Sequence, residues 1–147
     1  MELLLTLFDV FMLCVGFCIL FQFRSPGYIT AASMGGVLSW FLYVICEPIG
    51  GDLLGFFLAS LGLTIYAEIM ARVFKSPVTG FLMMAILPLV PGSGIYYTME
   101  YCVNGDTDNF INTGLHTFAI AGAIAIGVLV VSSLVRLWTQ IRAEHRR

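Results

Sequence analysis

The stretch PLVPGSG, at residues 88–94, interrupts an apolar run that otherwise extends from Val78 to Cys102. An apolar run of about 20 residues is long enough to cross a bilayer as a helix. Proline removes a backbone hydrogen bond from a helix and glycine weakens it, so this run cannot form one regular helix. The first arm has about ten residues and rises about 15 Å, which places the break near the membrane midplane.

The composition of the whole chain is that of an integral membrane protein. Of its 147 residues, 59% are hydrophobic and 11% are charged, against about 45–50% and about 25% in soluble domains. The mean hydropathy is +0.95. A soluble domain of this length cannot bury so much apolar surface, and a net charge of −2 without a basic stripe gives nucleic acid no footprint. Soluble enzymes, nucleic-acid binders and disordered chains are therefore excluded.

Polar turns divide the chain into five apolar runs, which predict an all-α protein with five transmembrane helices in one transmembrane domain, residues 1–147. Glu2 precedes the first run without a basic residue, and no small-residue cleavage site follows, so this run is expected to be a retained helix. Ser76 and Pro77 are expected to be the N-cap and first residue of the fourth helix. The predicted helices are 3–23, 28–46, 53–71, 78–102 with a break at 88–94, and 110–134.

Charge predicts the orientation of the five helices. Every Lys and Arg falls on one side of the five-helix arrangement, and that side carries the C-terminus. Cytoplasmic loops are enriched in basic residues, so the N-terminus is expected outside and the C-terminus in the cytoplasm. A re-entrant fourth run would place the basic tail outside, so the fourth run is expected to cross. The basic residues are Arg24, Arg72, Lys75, Arg136, Arg142, Arg146 and Arg147. The acidic residues of the other side are Glu2, Glu47, Asp52, Glu100, Asp106 and Asp108.

The broken fourth helix is the strongest candidate for a substrate site. Its second arm would begin with free backbone N–H groups and the positive end of a helix dipole, which suit a carboxylate. Transporters with discontinuous helices use half-helix N-termini in this way. The alternative is a Pro/Gly kink that only shapes helix packing. The predicted substrate-binding residues are Pro88, Pro91, Gly92, Ser93, Gly94, Tyr96 and Tyr97.

Three ionisable residues within the apolar runs are candidates for proton coupling: Asp9, His116 and Glu68. Asp9 and His116 have similar predicted depths, which suggests that they meet in a proton path. Alternatively, Asp9 is an interfacial carboxylate and His116 forms an interhelical hydrogen bond. Glu68 precedes Arg72 by four residues, the favourable order for an ion pair along one helix.

Cysteines and small residues give weaker signals. The four cysteines include no CxxC pair, so free thiols are expected, with a Cys46–Cys102 bridge left open. The sequence predicts no metal site and no cofactor. Small residues four apart allow close helix contacts, either within the chain or with a partner. They are Ala32 and Gly36, Gly55 and Ala59, and Ala119, Ala123 and Gly127.

Four segments carry a resemblance to a known family: AEIMAR at 67–72, KSP at 75–77, LPLVPG at 87–92 and YYTM at 96–99. The chain resembles the threonine/serine exporter (ThrE-like) family, and in particular its small split YjjB-like membrane subunit. The resemblance covers essentially the whole chain in length and helix count. Its most specific part is Pro88-x-x-Pro91-Gly92 with the tyrosines downstream.

This resemblance implies a proton-driven secondary exporter in the bacterial inner (cytoplasmic) membrane. The implied substrates are threonine and serine, or a dicarboxylate such as succinate. Split members act with a second five-helix subunit that carries a cytoplasmic N-terminal domain, and two halves of opposite orientation are typical of inverted-repeat transporters. The chain alone is therefore not expected to transport, and no catalytic residue is implied.

Two other functions compete with export. A non-transporting membrane scaffold would explain the spans but not the break at the midplane. An intramembrane hydrolase would use Ser93 and His116 as a dyad, which requires a hydrogen bond between them and oxyanion donors.

Overall fold

The computed structural model describes residues 2–23 and 25–144, and all of its regular elements are helical. Four helices are long and apolar enough to cross a membrane, and a fifth span results if the bent pair Val78–Leu89 and Gly92–Val103 counts as one. The predicted all-α membrane class is confirmed at this level. The helices are α1 (Glu2–Leu20), α2 (Pro26–Gly50), α3 (Asp52–Val73), α4 (Val78–Ile86), α5 (Gly92–Val103) and α6 (Thr107–Glu144), with a 3-10 turn at Leu87–Leu89.

The predicted end of the first helix is wrong by three residues, because α1 stops at Leu20 rather than at 23. Gln22 adopts a left-handed conformation with φ 58°. Its N–H donates to the carbonyl of Ile19 at 2.9 Å, and that of Phe23 donates to the carbonyl of Cys18 at 3.0 Å. This pair of bonds is the Schellman motif, which ends a helix by satisfying its last carbonyls. Glutamine gives little sequence signal for this role, which glycine usually takes.

The predicted break at residues 47–52 is also wrong, because α2 continues through Pro48 to Gly50. Proline lacks an N–H group and so removes one helical hydrogen bond, a loss that the last turn tolerates. Gly51 is the C-cap of α2; its φ of 81° suits glycine, and its N–H donates to the carbonyl of Glu47. A single residue therefore separates α2 from α3.

Two further boundaries differ from prediction. Pro77, not Ser76, is the N-cap of α4, and the hydroxyl of Ser76 donates to the carbonyl of Phe74 at 3.2 Å. The last helix spans Thr107–Glu144, 38 residues, rather than the predicted 110–134. It begins early because Asp106 accepts hydrogen bonds from the N–H and side-chain amide of Asn109, at 3.3 and 2.7 Å, as an N-cap does.

Close contacts between helices depend on small residues. A Cβ on Gly36 would overlap the Cys14 thiol of α1, and one on Gly127 would overlap the Ser60 hydroxyl of α3. The predicted role of small residues in packing within the chain is thus confirmed at several positions, whereas Ala119 is exposed. The small residues of the predicted pattern that are buried are Ala32, Gly36, Gly55, Ala59 and Gly127.

The direction of each helix follows from its contacts. Along α3, Asp52 contacts His116 of α6, Ser60 faces Gly127, and Arg72 donates to Thr139 at 3.4 Å, so α3 and α6 run in the same direction. Gly94 and Thr98 of α5 face Thr117 and Gly114 of α6 respectively, so α5 runs opposite to α6. We call the end of the bundle that carries Arg72 the Arg72 end, and the opposite end, which carries Asp52, the Asp52 end. The α4–α5 segment therefore leads from the Arg72 end to the Asp52 end.

These directions separate the charges. The Arg72 end carries the basic residues of α3 and α6, and the Asp52 end carries acidic residues that include Glu47 and Asp106. Three of the seven basic residues of the orientation argument, Arg24, Arg146 and Arg147, lie outside the described residues.

Candidate functional site

A cavity of about 500 Å³ lies toward the Asp52 end of the bundle, at the break between α4 and α5. Residues 88–94 form one wall of this cavity. Its other lining residues come from three helices: Trp40 and Tyr43 of α2, Asp52 and Phe56 of α3, and Thr113, His116, Thr117 and Ile120 of α6. The structure therefore places five predicted substrate-binding residues, Pro88, Pro91, Gly92, Ser93 and Gly94, around one space.

Backbone geometry at the break leaves free donors on residues that line this cavity. The two helical arms meet at an angle of 56°. Val90 is extended, Pro91 is the N-cap of α5, and the Gly92 N–H donates to the Val90 carbonyl at 2.7 Å. The N–H groups of Ser93 and Gly94 have no acceptor within the part of the chain that the structure describes. These are the unsatisfied donors expected of a first helical turn, at the positive end of its dipole.

A polar network crosses the cavity from α2 to α6. The hydroxyl of Tyr43 donates to Oδ1 of Asp52 at 2.7 Å. The other carboxylate oxygen, Oδ2, lies 3.4 Å from Nε2 of His116. The side chains of Asp52 and His116 are 34% and 54% exposed, so both remain accessible from the cavity. Sequence reasoning selected His116 but missed Tyr43, and treated Asp52 only as a charge on the outer side.

The other proton-coupling candidates lie elsewhere. Asp9 is exposed on α1, which packs on α2, and among the described residues no ion pair joins it to His116. The predicted meeting of Asp9 and His116 is not found, because similar depth does not make two helices neighbours. Glu68 forms the expected pair with Arg72, with Oε2 and Nη2 3.9 Å apart, at the end remote from the cavity.

Neither predicted tyrosine is among the residues that line the cavity. Tyr96 and Tyr97 are exposed, and their rings contact each other edge to face with centroids 5.5 Å apart. Ser93 and His116 line the same cavity, but no hydrogen bond joins them in the described structure, as a nucleophile and its base would require.

Gly94 has a packing role as well as a place in the cavity wall. A Cβ there would overlap the hydroxyl oxygen of Thr117, whereas a Cβ on Gly92 would meet nothing within 4 Å. The absence of a side chain at Gly94 therefore lets α5 lie directly against α6. The sequence offered two alternatives for residues 88–94: a kink that shapes helix packing, or a candidate substrate site. In the structure the same residues pack the helices and line the cavity.

Cysteines and metal ligands add no further site within the described residues. All four cysteines are free, with Cys14 and Cys18 buried and Cys102 exposed. Residues 2–23 and 25–144 contain no group of three or more His, Cys, Asp or Glu residues that could hold a metal ion.

The chain matches a known protein-family model. A protein-family model described as "Threonine/Serine exporter, ThrE" matches residues 6–134. No curated protein and no solved structure matches the chain.

Proposed function

The chain belongs to the threonine/serine exporter family, and we propose that it is a membrane subunit of a secondary exporter for small polar metabolites that carry a carboxylate. The substrate occupies the cavity at residues 88–94. The observation that carries this proposal is the combination, in one cavity, of unsatisfied helix N–H groups with polar side chains from three helices. Its volume of about 500 Å³ lies within the usual range for small-molecule sites, about 300–1,000 Å³.

The charges of the cavity favour an amino acid over a dicarboxylate. The N–H groups of Ser93 and Gly94 suit a substrate carboxylate. Asp52 supplies a negative charge in the same cavity, and the lining contains no Lys or Arg within the described structure. A zwitterion such as threonine or serine matches both features, whereas the second carboxylate of succinate would face Asp52.

In this proposal the α4–α5 pair crosses the membrane as one broken span. The parallel course of α3 and α6 supports a crossing, since a re-entrant pair would return the chain to the Arg72 end. The separation of charges supports an N-terminus outside and a C-terminus in the cytoplasm. The protein would then be a multi-pass component of the bacterial inner membrane with five spans.

A partner subunit is the second element of the proposal. No residue of α5 is buried, and Gly92 and Ser93 are exposed at the break. Unsatisfied backbone groups at membrane depth are tolerated only against protein or a water-filled cavity. A second five-helix subunit of opposite orientation, with a cytoplasmic N-terminal domain, would cover this face.

Proton coupling is the proposed energy source. His116 is the candidate that lines the cavity, and it contacts a carboxylate there. Glu68 is paired with Arg72 away from the cavity, and Asp9 lies on α1, so neither has a contact that connects it to the substrate.

The proposal is tested by filling the cavity. In cells that lack the chromosomal copy of this chain, efflux of L-threonine, L-serine and succinate is measured after complementation with wild type, Thr113→Phe or Thr139→Phe. Thr113 lines the cavity, whereas Thr139 lies near the Arg72 end of the same helix. We expect wild type and Thr139→Phe to restore efflux and Thr113→Phe to fail at equal membrane abundance. Unchanged efflux of all three compounds in the deletion strain would contradict the proposal.

A further inference from the structure

Among the described residues, Asp52 is the one carboxylate that lines the cavity, and it is held from two sides. Its Oδ1 accepts the Tyr43 hydrogen bond, and its Oδ2 faces both His116 and the open space. Tyr43 is itself fixed by its ring, which packs on Phe56 with centroids 4.4 Å apart. One oxygen of Asp52 is thus used for orientation, and the other is presented to the cavity.

We propose that Oδ2 of Asp52 is the receptor for the substrate ammonium, and that a protonated His116 competes with that ammonium for the same oxygen. The inference rests on the proposed function and adds to it the group that selects an amine and the means of coupling. With a proton on Nε2, His116 forms an ion pair with Asp52 and occupies the site. When the imidazolium releases its proton to cavity water, Asp52 binds the ammonium instead.

Competition for one carboxylate couples the two fluxes if the cavity opens to one side of the membrane at a time and changes side only when Asp52 is occupied. The amino acid then leaves on the outer side as His116 takes up a proton there, and the proton is released on the inner side as the next amino acid binds. Asp52 is the first residue of α3, an end of the helix at which the dipole favours negative charge.

The titratable groups around Asp52 are few. From α2 come Tyr43 and, outside the cavity lining, the exposed Glu47; from α6 comes His116. The α4–α5 break contributes backbone and the hydroxyl of Ser93 but no titratable side chain to the cavity wall. Within the described lining, His116 is therefore the side chain that can both accept a proton at Nε2 and reach Oδ2 of Asp52.

Inside-out membrane vesicles from cells that express the chain with its natural partners separate the two roles. Two rates are measured with labelled L-threonine and L-serine: exchange against unlabelled amino acid without a gradient, and uptake driven by an acid-inside pH gradient. Exchange requires only substrate binding and passage, whereas gradient-driven uptake also requires the proton.

We expect Asp52→Asn to reduce both rates by about tenfold or more, the loss typical of a charged hydrogen bond. His116→Gln should reduce gradient-driven uptake far more than exchange. Tyr43→Phe keeps the ring packing and removes only the donor to Oδ1, so it should raise the KM for exchange by a few fold. Glu47→Gln is the matched control, since it neutralises an exposed carboxylate outside the cavity lining, and should behave as wild type.

Two outcomes would overturn the inference alone. These are full exchange by Asp52→Asn, or gradient-driven uptake by His116→Gln equal to wild type. In each case the vesicles still transport, so export itself stands. Wild-type vesicles that neither exchange nor accumulate an amino acid would overturn both the inference and the proposed function.

Discussion

Adding one methyl group at Gly94 should separate α5 from α6. A Cβ at this position would overlap Oγ1 of Thr117 and lie 3.3 Å from its Cγ2. Rotating Thr117 breaks the hydrogen bond from its hydroxyl to the Thr113 carbonyl, 2.7 Å long, at a cost of about 0.5–1.5 kcal/mol. Moving α5 instead incurs the cost of overpacking, about 1–3 kcal/mol. We expect Gly94→Ala to lower the free energy of unfolding by about 1–3 kcal/mol.

The same helix turn offers a matched control. Gly92→Ala adds an identical methyl group where nothing lies within 4 Å, so its effect should be within about 0.5 kcal/mol of zero. In the double variant Gly94→Ala/Thr117→Ala the overlapping atoms are gone, and stability should return to within about 0.5 kcal/mol of Thr117→Ala alone.

The measurement is equilibrium unfolding of the purified chain in mixed micelles. Trp40 lines the cavity beside the start of α5, so its fluorescence in a Trp138→Phe background reports on this contact. Equal destabilisation by the alanines at 92 and 94 would refute the packing argument. So would a double variant no more stable than Gly94→Ala.

Other predictions test the orientation and the packing of the helices. In a variant whose sole thiol is Cys102, a membrane-impermeant maleimide added to intact cells should label this exposed cysteine. A variant whose sole thiol is Cys14, which is fully buried, should stay unlabelled. Labelling of Cys102 only from the cytoplasmic face would contradict the five-span orientation. Gly127→Ala should lower the free energy of unfolding by about 1–3 kcal/mol, because the new methyl group overlaps Ser60 of α3. Adding Ser60→Ala should restore only part of this stability, because a backbone carbonyl oxygen still lies 3.1 Å from the methyl group. Full restoration in mixed-micelle unfolding would contradict the geometry. Tyr66→Phe removes a hydroxyl that donates to a carbonyl of α2 at 2.7 Å. It should lower the free energy of unfolding by about 1 kcal/mol in the same assay. An unchanged midpoint would show that this bond adds nothing to stability.

The apolar runs predicted the helices well and their ends less well. Hydrophobicity decides whether a segment is helical in a membrane, but a boundary depends on single hydrogen bonds. Gln22 ends α1 through backbone geometry that its side chain does not announce. Pro48 reads as a break, yet only one hydrogen bond depends on its missing N–H, so α2 continues.

The candidate site was half predictable for a related reason. The break at residues 88–94 carries its own signal, because two prolines and two glycines within seven residues cannot continue one regular helix. Asp52 carries none, since an acidic residue between two spans reads as an ordinary loop charge. Its significance depends on Tyr43 and His116, which reach it from two other helices, and sequence depth alone does not establish which helices are neighbours.

The contact of α6 with α3 at Gly127 lies almost midway between the two polar contacts that the same helices make near their ends. At Gly127, which has no side chain, the Ser60 side chain and the Phe57 carbonyl of α3 pack directly against the backbone of α6. His116 lies 11 residues before this point and Thr139 lies 12 residues after it, which gives arms of about 17 Å and about 18 Å. Any rocking of this unbroken rod about Gly127 moves its ends in opposite directions. The distance between His116 and Asp52 is thereby tied to the distance between Thr139 and Arg72 at the far end.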